Sequence, residues 1–320
     1  MDMFIGLFIS ALLLGCTYTL IAVGFSLFFG VLDVVVFCCG DIAIFGVFSI
    51  MGAYVVLMSA GTFSVLPFIV CVLLLLLIGA IFCATLGLFA YRFSIRPFSQ
   101  SSELMPLLST IALGSVIKEV LGLLFMPVVN ASAQAVGGEE AMRVVSGRNP
   151  QGFPDLLFPN GTMSLRYVTI ICVTVLMLLL LFLFLNKTKV GLSMQAVSQN
   201  KELSMMTGID VTRTIIVTFI IGGVLLAISG FLVGNYQKVM SFDNGALYGV
   251  KGFSAAVVGG LRNTWGAVIG GMLLAFVEVF ISGYVPNGPA YATSIAFFVV
   301  VVFIVFKPEG IIGEKTVEKV

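Results

Sequence analysis

Histidine is absent from this chain. That removes Ser-His-Asp hydrolase triads and the histidine-bearing metal motifs together. No G-x-x-x-x-G-K-[ST] occurs, so the chain has no P-loop for a nucleotide. Tryptophan appears once, at Trp265, and charged residues make up only 10% of the sequence. The net charge is +1 and no block of basic residues occurs, which argues against a nucleic-acid partner. Six cysteines (Cys16, Cys38, Cys39, Cys71, Cys83 and Cys172) lie in or beside apolar stretches without metal-ligand spacing. They read as small buried hydrophobes. Met1-Asp2-Met3 lacks the basic residues of a cleavable leader, so the first apolar stretch is expected to stay as a span.

What the chain has instead is apolar length. Sixty per cent of its 320 residues are hydrophobic and its mean hydropathy is +1.17, which excludes an ordinary soluble domain. Apolar runs near the length that crosses about 30 Å of hydrocarbon as helix recur along it. Spans are expected at about 4–29, 42–60, 64–90, 104–126, 167–186, 211–234, 246–261, 266–284 and 291–306. The alternating ten-residue segments of a β-barrel are missing. The expected fold is all-α, a polytopic membrane protein of about 8–9 transmembrane helices, read as a single transmembrane domain over residues 1–320.

Two regions are too glycine-rich or too short for plain spans. They are Gly30–Asp41 and Gly245–Gly271, and the second holds eight glycines. Broken segments in two halves point to a transport path between inverted repeats. Glycine that merely lets helices pack closely would give the same composition. Charges inside spans are few: Lys118, Glu119 and Glu278. Lys118 and Glu119 sit near the outer end of their span, where snorkelling is easy. Glu278 lies deeper, and either lines a path or steadies a helix contact.

A polar island, residues 191–210, interrupts the apolar pattern. It reads as two short helices: Leu192, Ala196 and Val197 give one apolar face. Asn200 is an N-cap, Glu202 sits in the first turn that follows, and Leu203, Met206 and Gly208 complete the second piece. A compact helical element held outside lipid is expected to dock another protein. With the N-terminus outside, the cytoplasmic segments carry Arg92, Arg96, Lys187, Lys189, Lys201, Arg213, Arg262, Lys307, Lys315 and Lys319. The external ones carry Arg143, Arg148, Arg166, Lys238 and Lys251. Ten against five supports N-out, C-in, which puts the island in the cytoplasm and the polar loop 127–166 outside.

Four segments in order resemble the permease subunits of branched-chain amino acid ABC importers, the LivH-type half. The island GLSMQAVSQNKELSMMTGID resembles that family's coupling segment, roughly G-x-x-x-R-A-x-x-Q-[DN]-x-x-x-A-x-x-x-G-[IV]-[DN]. Val250–Glu278 resembles its glycine-rich second-half element. Pro106–Val120 and the terminal Lys307-Pro-Glu-Gly-Ile-Ile-Gly313 match in place and order. The resemblance covers nearly the whole chain and implies a non-enzymatic subunit that binds no cofactor, with ATP bound by partner subunits. Those partners would be a second, LivM-like permease, two ATPase subunits, and a periplasmic or lipid-anchored solute-binding protein. It implies ATPase-coupling roles for Gly191, Gln195, Ala196, Gln199, Asn200, Glu202, Gly208 and Asp210. The candidate path residues are Phe37, Cys38, Cys39, Gly40, Asp41, Gly259, Gly260 and Glu278. The chain departs from the family at Gln195, where Arg is usual, and at Ser204, where Ala is usual. In the family's N-F-A-H-G-[ED], it has Val36 and Cys39 at the Asn and His positions. Members of the family carry leucine, isoleucine and valine, and relatives carry urea, short amides and other small solutes. A stand-alone secondary carrier is the alternative, and the scarcity of intramembrane acids counts against it.

Overall fold

A chain in hydrocarbon must satisfy its own backbone N–H and C=O groups, so long apolar runs become helices. A computed structural model describes residues 2–59, 68–98, 104–136, 151–152, 163–237, 239–307 and 309–312. The helices, in chain order, are α1 (Asp2–Leu32), α2 (Cys39–Ser59), α3 (Phe68–Ala90), α4 (Leu104–Val136), α5 (Met163–Lys187) and α6 (Lys189–Gln199). They continue with α7 (Lys201–Met206), α8 (Val211–Gln237), α9 (Asn244–Gly259), α10 (Thr264–Tyr284) and α11 (Gly288–Phe306). A π-helical turn, Tyr91–Ile95, extends α3. A two-residue antiparallel ladder pairs Gln151–Gly152 with Val239–Met240.

Among the described residues eight helices are long and apolar enough to cross a bilayer: α1–α5, α8, α10 and α11. The protein is a polytopic helical membrane protein. The expected span at 246–261 is not among the eight. Its helix, α9, has 16 residues and is therefore about 24 Å long, short of a full crossing. The polar stretch 127–166 also differs from the expected loop. α4 runs on to Val136, because no proline or glycine follows Pro127 until Gly137. Residues 137–150 and 153–162 lie outside the described residues.

The chain forms two compact units. The first comprises Met1–Val35, Ile170–Thr218 and Val250–Val320; the second comprises Val36–Thr169 and Phe219–Gly249.

In the first unit α1 lies along α10. Small residues allow that approach, as is usual between membrane helices. A Cβ at Gly271 would stand 2.7 Å from the Thr19 Cα, and the Thr19 hydroxyl donates to the Val268 carbonyl at 3.3 Å. Phe8 meets Phe276 edge-on at 5.3 Å between ring centroids. α9 and α10 form a hairpin so close that a Cβ at Gly259 or at Gly266 would strike the other's backbone. Gly260, at φ 112°, makes the turn. The C-terminal segment closes the end of α9: the N–H groups of Ile311 and Ile312 donate to the carbonyls of Val258 (2.9 Å) and Gly259 (3.0 Å). Gly310, at φ 83°, permits this, and its α-carbon packs on the backbone of Gly260.

In the second unit α2 is the centre, packed by α3, α4 and the later part of α8. Gly46 faces Cys83 and Ala227, Gly79 faces Ile50, and Gly230 faces the Ala43 carbonyl. The Cys83 thiol donates to the Ile42 carbonyl at 3.3 Å. Five of the six cysteines are buried, as expected, and all six are free thiols. Cys172 is the correction: it is exposed on α5, whose outer face is apolar and suited to lipid.

Gly271→Val should destabilise the permease by about 1–3 kcal/mol, the cost of an overpacked contact, and so lower its detergent-unfolding midpoint. Gly6→Val should change it little, because nothing lies within 4 Å of a Cβ there. Equal effects of the two would remove the close α1–α10 approach as a source of stability.

Candidate functional site

The island folds as the two short helices its residues call for, each stopped and started by identifiable caps. Thr188 accepts the Gly191 N–H at 3.0 Å and begins α6. Gly191 is buried, and a Cβ there would strike the Phe184 carbonyl and the Leu185 backbone. Asn200 ends α6 and caps α7, its side-chain oxygen accepting the Leu203 N–H at 3.0 Å. The end of α7 is a Schellman motif. Ile209 N–H donates to the Ser204 carbonyl and Gly208 N–H to that of Met205, with Gly208 at φ 83°. Asp210 caps α8 by accepting the Arg213 N–H at 3.0 Å.

The inward face of α6 differs from the expected one. Met194 and Val197 are buried, whereas Leu192 is exposed and Ala196 is half-buried. Gln195, in place of the usual Arg, donates to the Asn186 side chain at 3.3 Å. Ser204, in place of Ala, is buried and donates to the Asn200 carbonyl at 2.8 Å, so its hydroxyl is satisfied. Glu202 and Gln199 face outward, and so do Leu203, Met205 and Met206, the last 84% exposed. Three of the six residues of α7 are thus exposed apolar side chains. Behind α6 lies a cavity of about 260 Å³, bordered by Met194, Gln195 and Ser198 together with Val31, Asn263 and Trp265.

In the second unit the break before α2 meets the start of α9. A Cβ at Gly40 would strike the Gly245 carbonyl and Gly249 nitrogen, so only glycine lets these backbones touch. Asp41, in the first turn of α2, packs against Gly245 and Gly114. The Phe37 N–H donates to the Thr110 hydroxyl at 3.3 Å, and Cys38 and Cys39 are fully buried. Asp243, immediately before α9, forms an ion pair with Lys118 of α4. The Lys118 side chain is 40% exposed where it meets this carboxylate, and Glu119 is exposed. Two helix N-termini, two carboxylates and one ammonium thus converge in this unit. Each N-terminus carries partial positive charge.

The remaining candidate path residues lie in the first unit. Gly259 and Gly260 form the α9–α10 turn. Glu278 of α10 is held by three side chains: Lys251 Nζ at 2.5 Å, the Tyr18 hydroxyl at 3.0 Å and the Thr293 hydroxyl at 3.1 Å. Lys251 is 5% exposed and also donates to the Tyr18 hydroxyl at 2.8 Å. Its expected place in an external segment is corrected: it sits inside α9. Sequence reasoning missed Lys251, Tyr18 and Thr293 because they are far from Glu278 along the chain. Lys251 lay in view, inside the short span itself. The four groups tie α1, α9, α10 and α11 together.

A family model described as "Branched-chain amino acid transport system / permease component" matches residues 7–306. The chain belongs to that family. The permease is 28% identical to the high-affinity branched-chain amino acid transport system permease protein BraD of Pseudomonas aeruginosa over 318 residues. That alignment covers 98% of this chain and 96% of BraD. It is 26% identical to the corresponding protein LivH of Escherichia coli, over 96% of this chain and 94% of that one. A probable LivH of Methanocaldococcus jannaschii is 27% identical over 84% of this chain and 81% of its own. No solved structure matches the permease.

Breaking a buried ion pair by removing one partner typically costs about 3–5 kcal/mol, because the other charge stays behind. Lys251→Met should therefore destabilise the permease strongly, and adding Glu278→Leu should recover part of the loss in the same unfolding assay. A double variant as unstable as the single would mean that Glu278 is not left stranded.

Proposed function

We propose that this permease forms one half of the membrane path of an ATP-binding-cassette importer for branched-chain amino acids or a related small polar solute. The observation that carries the reading is the family match over residues 7–306. It supports an importer subunit over a stand-alone carrier. The partners would be a LivM-like second permease, two ATPase subunits and a periplasmic or lipid-anchored binding protein. The chain would catalyse nothing and bind no cofactor, ATP being held by the ATPases. Its place would be the bacterial cytoplasmic membrane, N-terminus outside. Lys251, buried inside α9, drops out of the external tally, and the pairing of Arg262 and Lys201 with Asp33 supports placing the α9–α10 turn on the same side as the island.

In this mechanism α6 and α7 sit on an ATPase subunit, with Leu203, Met205 and Met206 as the apolar contact. ATP binding draws the two ATPases together, and α5 and α8 pass the displacement into the membrane. Nucleotide acts by favouring one arrangement over the other. The solute would meet the break at Phe37–Asp41. Asp41 suits an ammonium, and the N-terminal turns of α2 and α9 suit a carboxylate, the pairing that broken helices give to zwitterions. Val36 and Cys39 replace polar residues of the family pattern, so a path lined by this segment would be less polar than that pattern gives.

In proteoliposomes holding the whole co-purified complex, Met206→Glu should leave ATP hydrolysis running and cut leucine uptake about tenfold, within the usual range of coupling energies. Fully coupled uptake would sink the docking role. Asp41→Asn should raise the KM for uptake roughly tenfold or more, since a charge-assisted hydrogen bond is worth about 1.5–3 kcal/mol. An unchanged KM would take Asp41 out of the path.

A further inference from the structure

One carboxylate joins the docking element to the two helices that lie together through the first unit. Asp33 follows α1 directly and has φ 58°, a left-handed conformation that Asp and Asn tolerate better than most residues. One of its oxygens lies 2.5 Å from Arg262 Nη2, and the other lies 3.2 Å from Lys201 Nζ. Lys201 is the first residue of α7, next to the Asn200 cap. Its ammonium also donates to the Leu32 carbonyl at 2.6 Å, closing the end of α1. Arg262 stands in the α9–α10 turn. That turn is firmly set: Asn263 accepts the N–H groups of Trp265 (2.9 Å) and Gly266 (3.3 Å), and Gly310 braces Gly260.

We propose that Asp33 is the positioning residue through which movement of α7 reaches α1 and α10. The inference rests on the docking role of α6 and α7 proposed above. Three observations favour it over a role in stability. The three side chains are each 32–47% exposed, and ion pairs that open to water add little to folding stability. The cavity behind α6 separates that helix from the start of α10, and α6 packs on α1 at Gly30 and Ser198, so the charged link at α7 is what joins the docking element to the α9–α10 turn. Lys201 binds both the Asp33 carboxylate and the α1 terminus, so α7 cannot shift without drawing on α1.

The test uses the intact complex in proteoliposomes. Asp33→Asn keeps the shape and the tolerance for the left-handed backbone but removes the charge. It should assemble with the ATPases in the normal ratio, melt at the wild-type temperature and hydrolyse ATP. Solute carried per ATP should fall about tenfold. Lys201→Met should do the same, and the double variant should be no worse than either, as for two residues acting through one contact. A photo-crosslinking residue at position 206 reports docking separately. If it captures an ATPase subunit and Asp33→Asn remains fully coupled, the joint is overturned and docking stands. If no ATPase is captured, docking itself fails and the joint with it. A lowered melting temperature or lost assembly in Asp33→Asn would overturn the inference in favour of a structural role.

Discussion

A backbone N–H or C=O without a partner costs several kcal/mol in hydrocarbon, and α9 is where the permease meets that constraint most sharply. The helix stops after 16 residues. Its last carbonyls would be stranded if Ile311 and Ile312 did not return to meet them. For the return to work, Gly260 and Gly310 must adopt positive φ, and Gly259 must lie flush against Gly266. The α9–α10 turn then holds Arg262 against Asp33, and α9 holds Lys251 against Glu278. Much of the first unit's side-chain chemistry is thus secured by one short helix.

Charge is used sparingly inside the membrane, and it is used in company. Glu278 has Lys251, Tyr18 and Thr293; Lys118 has Asp243. Glu278 is a candidate for a path, since an acid at membrane depth is functional by default. Its oxygens accept from side chains of its own unit. Asp41 differs in setting, lying beside two helix N-termini and against glycines.

Elements governed by local rules were legible in the sequence. The Asn200 cap and the Gly208 stop follow from residue type and spacing, and both stand as read. Long apolar runs fixed eight spans for the same reason: hydropathy and length suffice. Features that depend on distant partners were not legible. Nothing near Lys251 announces Glu278 across 27 positions. The outward turn of Leu192 is decided by what α6 leans on, and its own pattern of apolar residues does not reveal that. α4 continues past Pro127 to Val136, where the polar composition suggested a loop.

The pairing of Ile311 and Ile312 with the end of α9 also sets an order of events during synthesis. α9 leaves the ribosome some fifty residues before the segment that completes it. Until Ile311 and Ile312 arrive, the carbonyls of Val258 and Gly259 must wait at the water boundary or borrow other donors. The nascent protein can therefore insert its early helices as they emerge, but it can settle the second glycine-rich element only once those two residues have followed. A chain cut short before Ile311 would carry an open helix end, with the carbonyls of Val258 and Gly259 left without these donors.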